Sequence, residues 1–274
     1  MKRRAALVLL NLVVIFPWAH SVSAEEEPLS RIMFGSCARE NQPQPIWDSI
    51  VDQKPDLFLF IGDNIYGDSR DMNVLKAKYQ QLFEKPGFVK LRETCPLLAT
   101  WDDHDYGEND AGFEFPMKAE SQQLFNDVFG VPEDSPRRQR PGIYDAQIFG
   151  PEGKRVQVIL LDTRYFRSKL RMWERGRRPA GRGPYRPHED NADATLLGEA
   201  QWKWLEEELK KPAEVRIIAS SIQVIPYENC WEMWGNFPAQ RQRLFNLISK
   251  TKAGGVIFIS GDRHLAEISR IEPK

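Results

Sequence analysis

Six short apolar runs recur along the chain, at Arg31–Phe34, Asp56–Ile61, Pro96–Thr100, Arg155–Leu161, Val215–Ala219 and Val256–Ile259. Each is too short for a lone helix, and several are apolar without alternation, as in strands buried on both faces. Between them, apolar residues recur at helical spacing. Ile46, Ile50 and Val51 form one stripe, and Val74 through Phe83 another. Trp202, Leu205 and Leu209 mark a helix over Gly198–Lys211, and Leu244, Phe245 and Ile248 mark one after Pro238. Trp202 and Trp204 cannot both face a core from one helical stripe. Strands alternating with helices predict an α/β domain. With no internal repeat or low-complexity linker, a single domain over residues 25–274 is expected. One irregular stretch, Arg167 to Asn191, is rich in Arg, Gly and Pro.

The amino terminus follows a different pattern. Lys2-Arg3-Arg4 precedes an apolar run from Ala5 to Phe16, and Val22 and Ala24 suit cleavage before Glu25. The run is short for a bilayer span of ~20 residues. Residues 1–24 are therefore expected to be a signal peptide, with an uncleaved anchor as the alternative. The expected compartment is periplasmic or extracellular, with no membrane span after cleavage. Without the three leader cations, 35 of the 38 Lys and Arg face 39 Asp and Glu, a net charge of −4. Such a chain is not a general nucleic-acid binder. Hydrophobic residues at 41% and charged residues at 28% exclude a disordered chain. Three cysteines make no disulfide framework. Cys95 and Cys230 are open to two readings, a disulfide or two separate thiols.

The chemistry lies just after the apolar runs. The first ends in Gly35-Ser36-Cys37, the second in Gly62-Asp63-Asn64-Ile65-Tyr66-Gly67-Asp68, and the third in Trp101-Asp102-Asp103-His104-Asp105-Tyr106-Gly107. Asp162-Thr163-Arg164, Ser220-Ser221-Ile222-Gln223 and Gly261-Asp262-Arg263-His264 follow the others. Ligands of α/β sheets bind beyond the carboxyl ends of the strands. If these strands share a sheet, Cys, Asp, Tyr, His and Gln side chains gather at one edge. Crowded carboxylates repel, so a cation must neutralise them or some must stay protonated. Thiolate and phenolate favour iron or zinc; carboxylates accept calcium, magnesium or manganese. Two metals sharing a bridging Asp would clamp an in-line phosphoryl displacement and supply hydroxide near neutral pH. The spacing would let Asp103 bind metal while Asp105 orients the His104 imidazole as general acid.

Phe34–Cys37, Gly62–Asp68, Thr100–Gly107, Leu161–Arg167 and Ser260–His264 together resemble the alkaline phosphatase D-like branch of the metal-dependent phosphoesterases, relatives of the purple acid phosphatases. The five motifs stand in the family's order across about 230 residues. The resemblance implies a four-layer α/β/β/α sandwich with a dinuclear metal centre, Fe3+ plus Ca2+, with Mn2+ or Zn2+ as alternatives at the second site. Carried over by position, Cys37 corresponds to a ligand of the first metal, Asp63 to the bridging carboxylate and Tyr66 to the phenolate on iron. Asp103 stands where the wider superfamily has a ligating Asn, and His104 where it has the catalytic His. Asp262 corresponds to a second-metal and His264 to a first-metal ligand, with Gln223 at the position of a further second-metal ligand. Arg164 has two readings, a phosphate contact or an ion-pair partner of Asp162. Family members usually continue past the last motif with more strands, so the sandwich is expected to lack its C-terminal strands.

The expectation is a secreted phosphoesterase acting on phosphomonoesters or phosphodiesters, with a phosphate ester as partner. The sequence leaves oligomeric state open. The rivals are a non-catalytic metal-binding or interaction module of the same fold, and a metal-independent glycoside hydrolase using paired carboxylates. His188, in a polar stretch, reads as a surface residue. Trp231 and Trp234 read as core, or as cleft lining. Arg164 to Arg186 carries eight Arg and one Lys against one Glu. That is either an electropositive lid for anionic substrate or a solvated loop.

Overall fold

The computed structural model describes residues 27–191 and 193–271; the proposed signal peptide lies outside them. All six apolar runs are strands. In chain order the strands are β1 (Ile32–Gly35), β2 (Leu57–Ile61), β3 (Leu97–Thr100), β4 (Asp145–Phe149), β5 (Val156–Leu160), β6 (Arg171–Met172), β7 (Tyr185–Arg186), β8 (Val215–Ala219) and β9 (Val256–Ile259). The helices are α1 (Ile46–Asp52), α2 (Met72–Phe83), α3 (Pro86–Thr94), α4 (Asp103–Tyr106), α5 (Lys118–Val128), α6 (Gly198–Lys210) and α7 (Pro238–Thr251).

The first sheet, β1-β2-β3, is wholly parallel. The second runs β4-β5-β8-β9, with only β4 antiparallel to its neighbour. The antiparallel pair β6-β7 stands apart as a hairpin. Side chains alternate across β2. Phe58 and Phe60 meet Trp47, Leu75, Tyr79 and Phe88 of the covering helices. Leu57, Leu59 and Ile61 meet Val156, Val158 and Leu160 of β5, with Ala219 and Ile259. On the outer face of the second sheet, Ile159 and Ile218 pack on Trp202, Leu205 and Leu209 of α6 and Leu244 of α7. The layers are therefore helices, sheet, sheet, helices, the expected four. Each fully buried Leu, Ile or Phe contributes about 1.5–3 kcal/mol, so the seam between the sheets is a principal source of stability.

Local chemistry sets the element ends. Asp71 caps α2 by accepting from the Asn73 amide at 2.9 Å, and Pro86 and Pro238 start α3 and α7 where no amide is needed. Trp202 is buried and donates to Gln240 Oε1 at 2.9 Å, while Trp204 sits half-buried against Tyr144, 4.7 Å between ring centroids.

One expectation is corrected and one open reading is decided. His188 is buried, not a surface residue: its ring stacks on Phe237 at 4.8 Å, and Nε2 lies 3.1 Å from the Lys169 carbonyl. Cys95 and Cys230 are separate thiols rather than a disulfide. Cys95 packs in the helical core beside β2, and Cys230 lies in the loop after β8.

Candidate metal centre

The carboxyl ends of β1, β2 and β3 and those of β5, β8 and β9 feed one cleft across the seam. The turns that leave these strands are sharp. Cys37, Asp63, Asp262 and His264 all have left-handed φ, at 60°, 49°, 63° and 50°. Non-glycine residues adopt that conformation at a cost, and it concentrates at functional sites. Backbone hydrogen bonds hold it, from the Cys37 amide to the Gly62 carbonyl at 3.2 Å and from the Ala38 amide to Asp63 at 2.9 Å. Gly62 has φ +104°, and a Cβ there would lie 2.6 Å from the Asp102 Cβ. Gly261 closes the other side, where a Cβ would meet Ser36 at 2.6 Å. Both positions therefore need glycine for backbone to approach this closely.

The structure brings most of the anticipated residues together. Cys37, Asp63 and His264 offer donor atoms within 4.8 Å of one another, and so do Asp63, Asp103 and His104. Asp63 belongs to both groups. The Tyr66 hydroxyl lies 2.8 Å from His264 Nε2, and Cys37 Sγ lies 3.5 Å from Asp63 Oδ2. The Tyr66 ring lies 4.4 Å from that of His104, with the Arg39 guanidinium 4.5 Å from its centroid. Asp262 falls outside those three-residue groups, but its Oδ2 is buried without a partner, as is Asp63 Oδ1. Gln223 has other partners: its amide donates to Glu267 at 2.9 Å and accepts from Asn229 at 3.3 Å.

The electrostatics fit a cation. Burial, then repulsion from Asp102 and Asp103, pushes the Asp63 carboxyl well above its usual range. The same causes push Asp262 up to about 8. Burial also raises the Cys37 thiol. Burial opposes ionisation of Asp103, yet Arg164, His104 and the Asp110 amide together hold its carboxyl low. Orphaned carboxylate oxygens beside a thiol and an imidazole form a donor set that two metal ions sharing Asp63 would satisfy.

Two anticipated roles are corrected. His104 Nδ1 lies 2.8 Å from Asp68 Oδ1, so Asp68 orients the imidazole and Asp105 does not. Asp105 is buried on the inner side of α4. It accepts from the Asp102 amide at 2.6 Å, completing a capping box, and from Asn64 Nδ2 at 2.6 Å and Tyr79 at 3.3 Å. Arg164 does not reach the cleft as a phosphate contact, because its side chain is fully buried. It pairs with Asp102 and, at 2.7 Å, with Glu232 Oε1. Asp162 instead accepts the Arg164 backbone amide at 2.9 Å. Glu232 and Asp110 were not anticipated, yet their carboxylates lie within 4.8 Å of Asp103. Asp68 stood at the end of the Gly62–Asp68 run with no role assigned to it. Glu232 had only its loop position after a strand as a signal.

The family model described as "PhoD-like phosphatase" matches residues 32–274. Alkaline phosphatase D of Bacillus subtilis (strain 168) is 23% identical over 282 residues, covering 89% of this chain and 47% of that protein. The solved structure of PhoD superposes with a TM-score of 0.72 at 20% identity, over 87% of this chain and 52% of that one. A dimetal phosphatase from Danio rerio gives a TM-score of 0.47 at 14% identity, over 87% and 82%. The chain thus spans about half the length of the curated relative it matches.

Proposed function

The chain belongs to the PhoD-like phosphatase family, and from that membership we infer that it is a metal-dependent phosphoesterase acting on phosphomonoesters or phosphodiesters. The observation that carries the reading is the pair of donor groups sharing Asp63, one containing Cys37 and His264 and the other Asp103 and His104. Cys37, Asp63, Tyr66 and His264 would hold a first metal, for which thiolate and phenolate favour Fe3+. Asp63, Asp103 and Asp262 would hold a second, where an all-carboxylate set suits Ca2+ and also accepts Mn2+. When bound, the metals supply Lewis-acid polarisation of the phosphoryl oxygens and acidification of the attacking water.

The chain's own residues supply the rest. His104 carries the proton that the departing alkoxide needs, from Nε2, because Nδ1 is engaged by Asp68. The carboxylate of Asp68 raises the His104 pKa against the effect of burial, which keeps the proton available. Trp231, 43% exposed, has the Arg263 guanidinium 4.9 Å from its ring centroid, and Arg263 stands between Asp262 and His264 in sequence. Among the described residues no helix is long and apolar enough to cross a membrane. Residues 1–24 are proposed as an export signal on their basic, apolar and small-residue pattern.

The test is elemental analysis of the purified chain together with hydrolysis of p-nitrophenyl phosphate and bis(p-nitrophenyl) phosphate. Two metals per chain, loss of hydrolysis on chelation and recovery on re-addition are expected. Asp63→Ala should lose both metals, and His104→Ala should lose turnover while keeping them. Hydrolysis that survives complete metal removal would overturn the reading.

A further inference from the structure

The cations near the candidate metal centre differ in what engages them. Arg164 is fully buried and pairs with Asp102 and Glu232, and Arg167 pairs with Glu232 at 3.0 Å. Lys78 lies 3.5 Å from Glu40 Oε1 and donates to the Tyr66 carbonyl. Arg263 is half-buried, with its guanidinium 4.9 Å from the Trp231 ring centroid. Arg39 is exposed, and its guanidinium lies 4.5 Å from the Tyr66 ring centroid. Among the described residues no carboxylate comes within ion-pair distance of it, and its neighbour Glu40 is taken by Lys78.

The backbone under Arg39 is held on both sides. Before it, the Cys37 and Ala38 amides donate to the Gly62 and Asp63 carbonyls at 3.2 and 2.9 Å. After it, the buried Glu40 accepts the Tyr66 amide at 2.9 Å. The Arg39 carbonyl itself accepts from the Gln42 amide at 3.1 Å and from Gln44 Nε2 at 2.8 Å. The turn that carries Arg39 is thus tied to the same loop that carries Asp63 and Tyr66. Its side chain rests on the Tyr66 ring, and the His104 ring lies 4.4 Å from that same ring. Attraction to an aromatic face holds a guanidinium in place without a carboxylate, so its charge is not neutralised.

We propose that Arg39 is a substrate-binding residue, whose guanidinium donates to a non-bridging oxygen of the phosphoryl group at the metal centre. The inference rests on the phosphoesterase reading and adds a residue that touches the substrate, a part that the buried Arg164 does not play. Three features fit Arg39 to it. Its charge is unpaired and open to solvent, its backbone is fixed to the loop of two proposed ligands, and its planar fork matches phosphoryl oxygens. Negative charge on those oxygens is best met by a cation already in place. One aromatic ring, that of Tyr66, then carries both the group that protonates the leaving oxygen and the group that holds the anion.

The test uses the full metal-loaded chain with Arg39→Met, which keeps an unbranched side chain over Tyr66 without the charge, and Arg39→Lys. The probe is inorganic phosphate, titrated by calorimetry, alongside elemental analysis, denaturation midpoints and kcat/KM for p-nitrophenyl phosphate. Arg39→Met should raise the Kd for phosphate about ten- to a hundredfold, as loss of a charged hydrogen bond does, and lower kcat/KM in parallel. Metals per chain and the midpoint should stay as they were. Arg39→Lys should recover part of the phosphate affinity, because a point charge replaces the fork. Unchanged phosphate affinity in Arg39→Met would overturn the proposal. So would loss of metal, since Arg39 would then act only by supporting Tyr66. Calorimetry needs no turnover, so a chain that binds phosphate through Arg39 and hydrolyses nothing would uphold the contact and refute the catalytic reading separately. A chain that hydrolyses its substrates regardless of Arg39 would refute the contact alone.

Discussion

Asp68 Oδ1 lies 2.8 Å from His104 Nδ1, joining the end of one strand-exit loop to the short helix that follows another. The Gly67 amide reinforces the same junction by donating to the His104 carbonyl at 3.0 Å. Asp68 is a positioning residue: it touches the imidazole and holds its other nitrogen free.

Asp68→Ala should lower kcat about tenfold or more, part of the ~10²–10⁴ that general acid catalysis supplies. The loss should be large for an alkyl phosphate, whose leaving group needs a proton, and small for p-nitrophenyl phosphate, whose leaving group does not. Metal content should be unchanged. Equal losses on both substrates would assign Asp68 a structural role only. Measuring kcat with the two leaving groups side by side decides it.

Asp105→Ala should act on stability instead. Its carboxylate takes donors from Asp102, Asn64 and Tyr79 in a buried site. Each donor left unsatisfied costs about 1–3 kcal/mol. A fall in the denaturation midpoint at least as large as for any single core truncation is expected, with metal binding lost alongside it.

Arg164→Met should destabilise the fold by about 3–5 kcal/mol, because Asp102 and Glu232 are left buried with one cation fewer. Arg164→Lys should not rescue it, since one ammonium cannot serve both carboxylates in the geometry of a guanidinium. If Arg164 held substrate, the variants would instead keep their denaturation midpoints and raise KM. Urea titration alongside kinetics separates the two.

His188 gives a pH dependence of stability. Burial lowers its pKa, and nearby Arg171 adds to this, while the Lys169 carbonyl works in the opposite direction. The unfolded chain therefore takes up the proton first as pH falls. The His188 contribution should be complete above the ordinary histidine value near ~6.5 and fade as pH drops below it. His188→Gln should flatten the stability profile between about pH 7 and 5. An unchanged slope would show that the His188 pKa is the same in the folded and unfolded chain.

Gly62→Ala should damage the site without touching a ligand. The new methyl would fall 2.6 Å from the Asp102 Cβ at a backbone φ of +104°. A loss of about 1–3 kcal/mol is expected, together with weaker metal retention, read by elemental analysis after gel filtration.

The strands of this protein were legible because burial on both faces leaves unbroken apolar runs, as in Leu57–Ile61 and Val156–Leu160. β4 was not, because Asp145, Ala146 and Gln147 interrupt its pattern on a half-exposed edge. α5 hid its buried face behind polar residues: Ser121, Gln122 and Asn126 are all buried there. At the candidate site, position after a strand marked Cys37, Asp63, Asp103, His104 and His264 as residues that would gather at one edge, and their donor atoms do lie together in two groups sharing Asp63. Pairings were harder. Asp105 is adjacent to His104 in sequence, yet one residue along a helix points to another side, and the Asp102-x-x-Asp105 spacing is itself a helix-cap signature. Asp68, 36 positions away from His104, becomes its partner only through tertiary packing.

The cleft lies across the seam where Leu57, Leu59 and Ile61 meet Val156, Val158 and Leu160. One sheet delivers Cys37, Asp63, Tyr66, Asp103 and His104, and the other delivers Asp262 and His264. The proposed ligands are therefore divided between two bodies kept in register by the apolar seam and, at its upper edge, by polar ties such as Arg164 to Asp102 and the Thr100 hydroxyl to the Leu161 carbonyl. An ion held by both acts as a clasp, and the strength of the clasp and the closeness of the sheets are the same thermodynamic quantity seen from two ends. A methyl group removed deep in the seam would loosen the grip on an ion it never touches, and a tightly held ion would conceal the damage to the core.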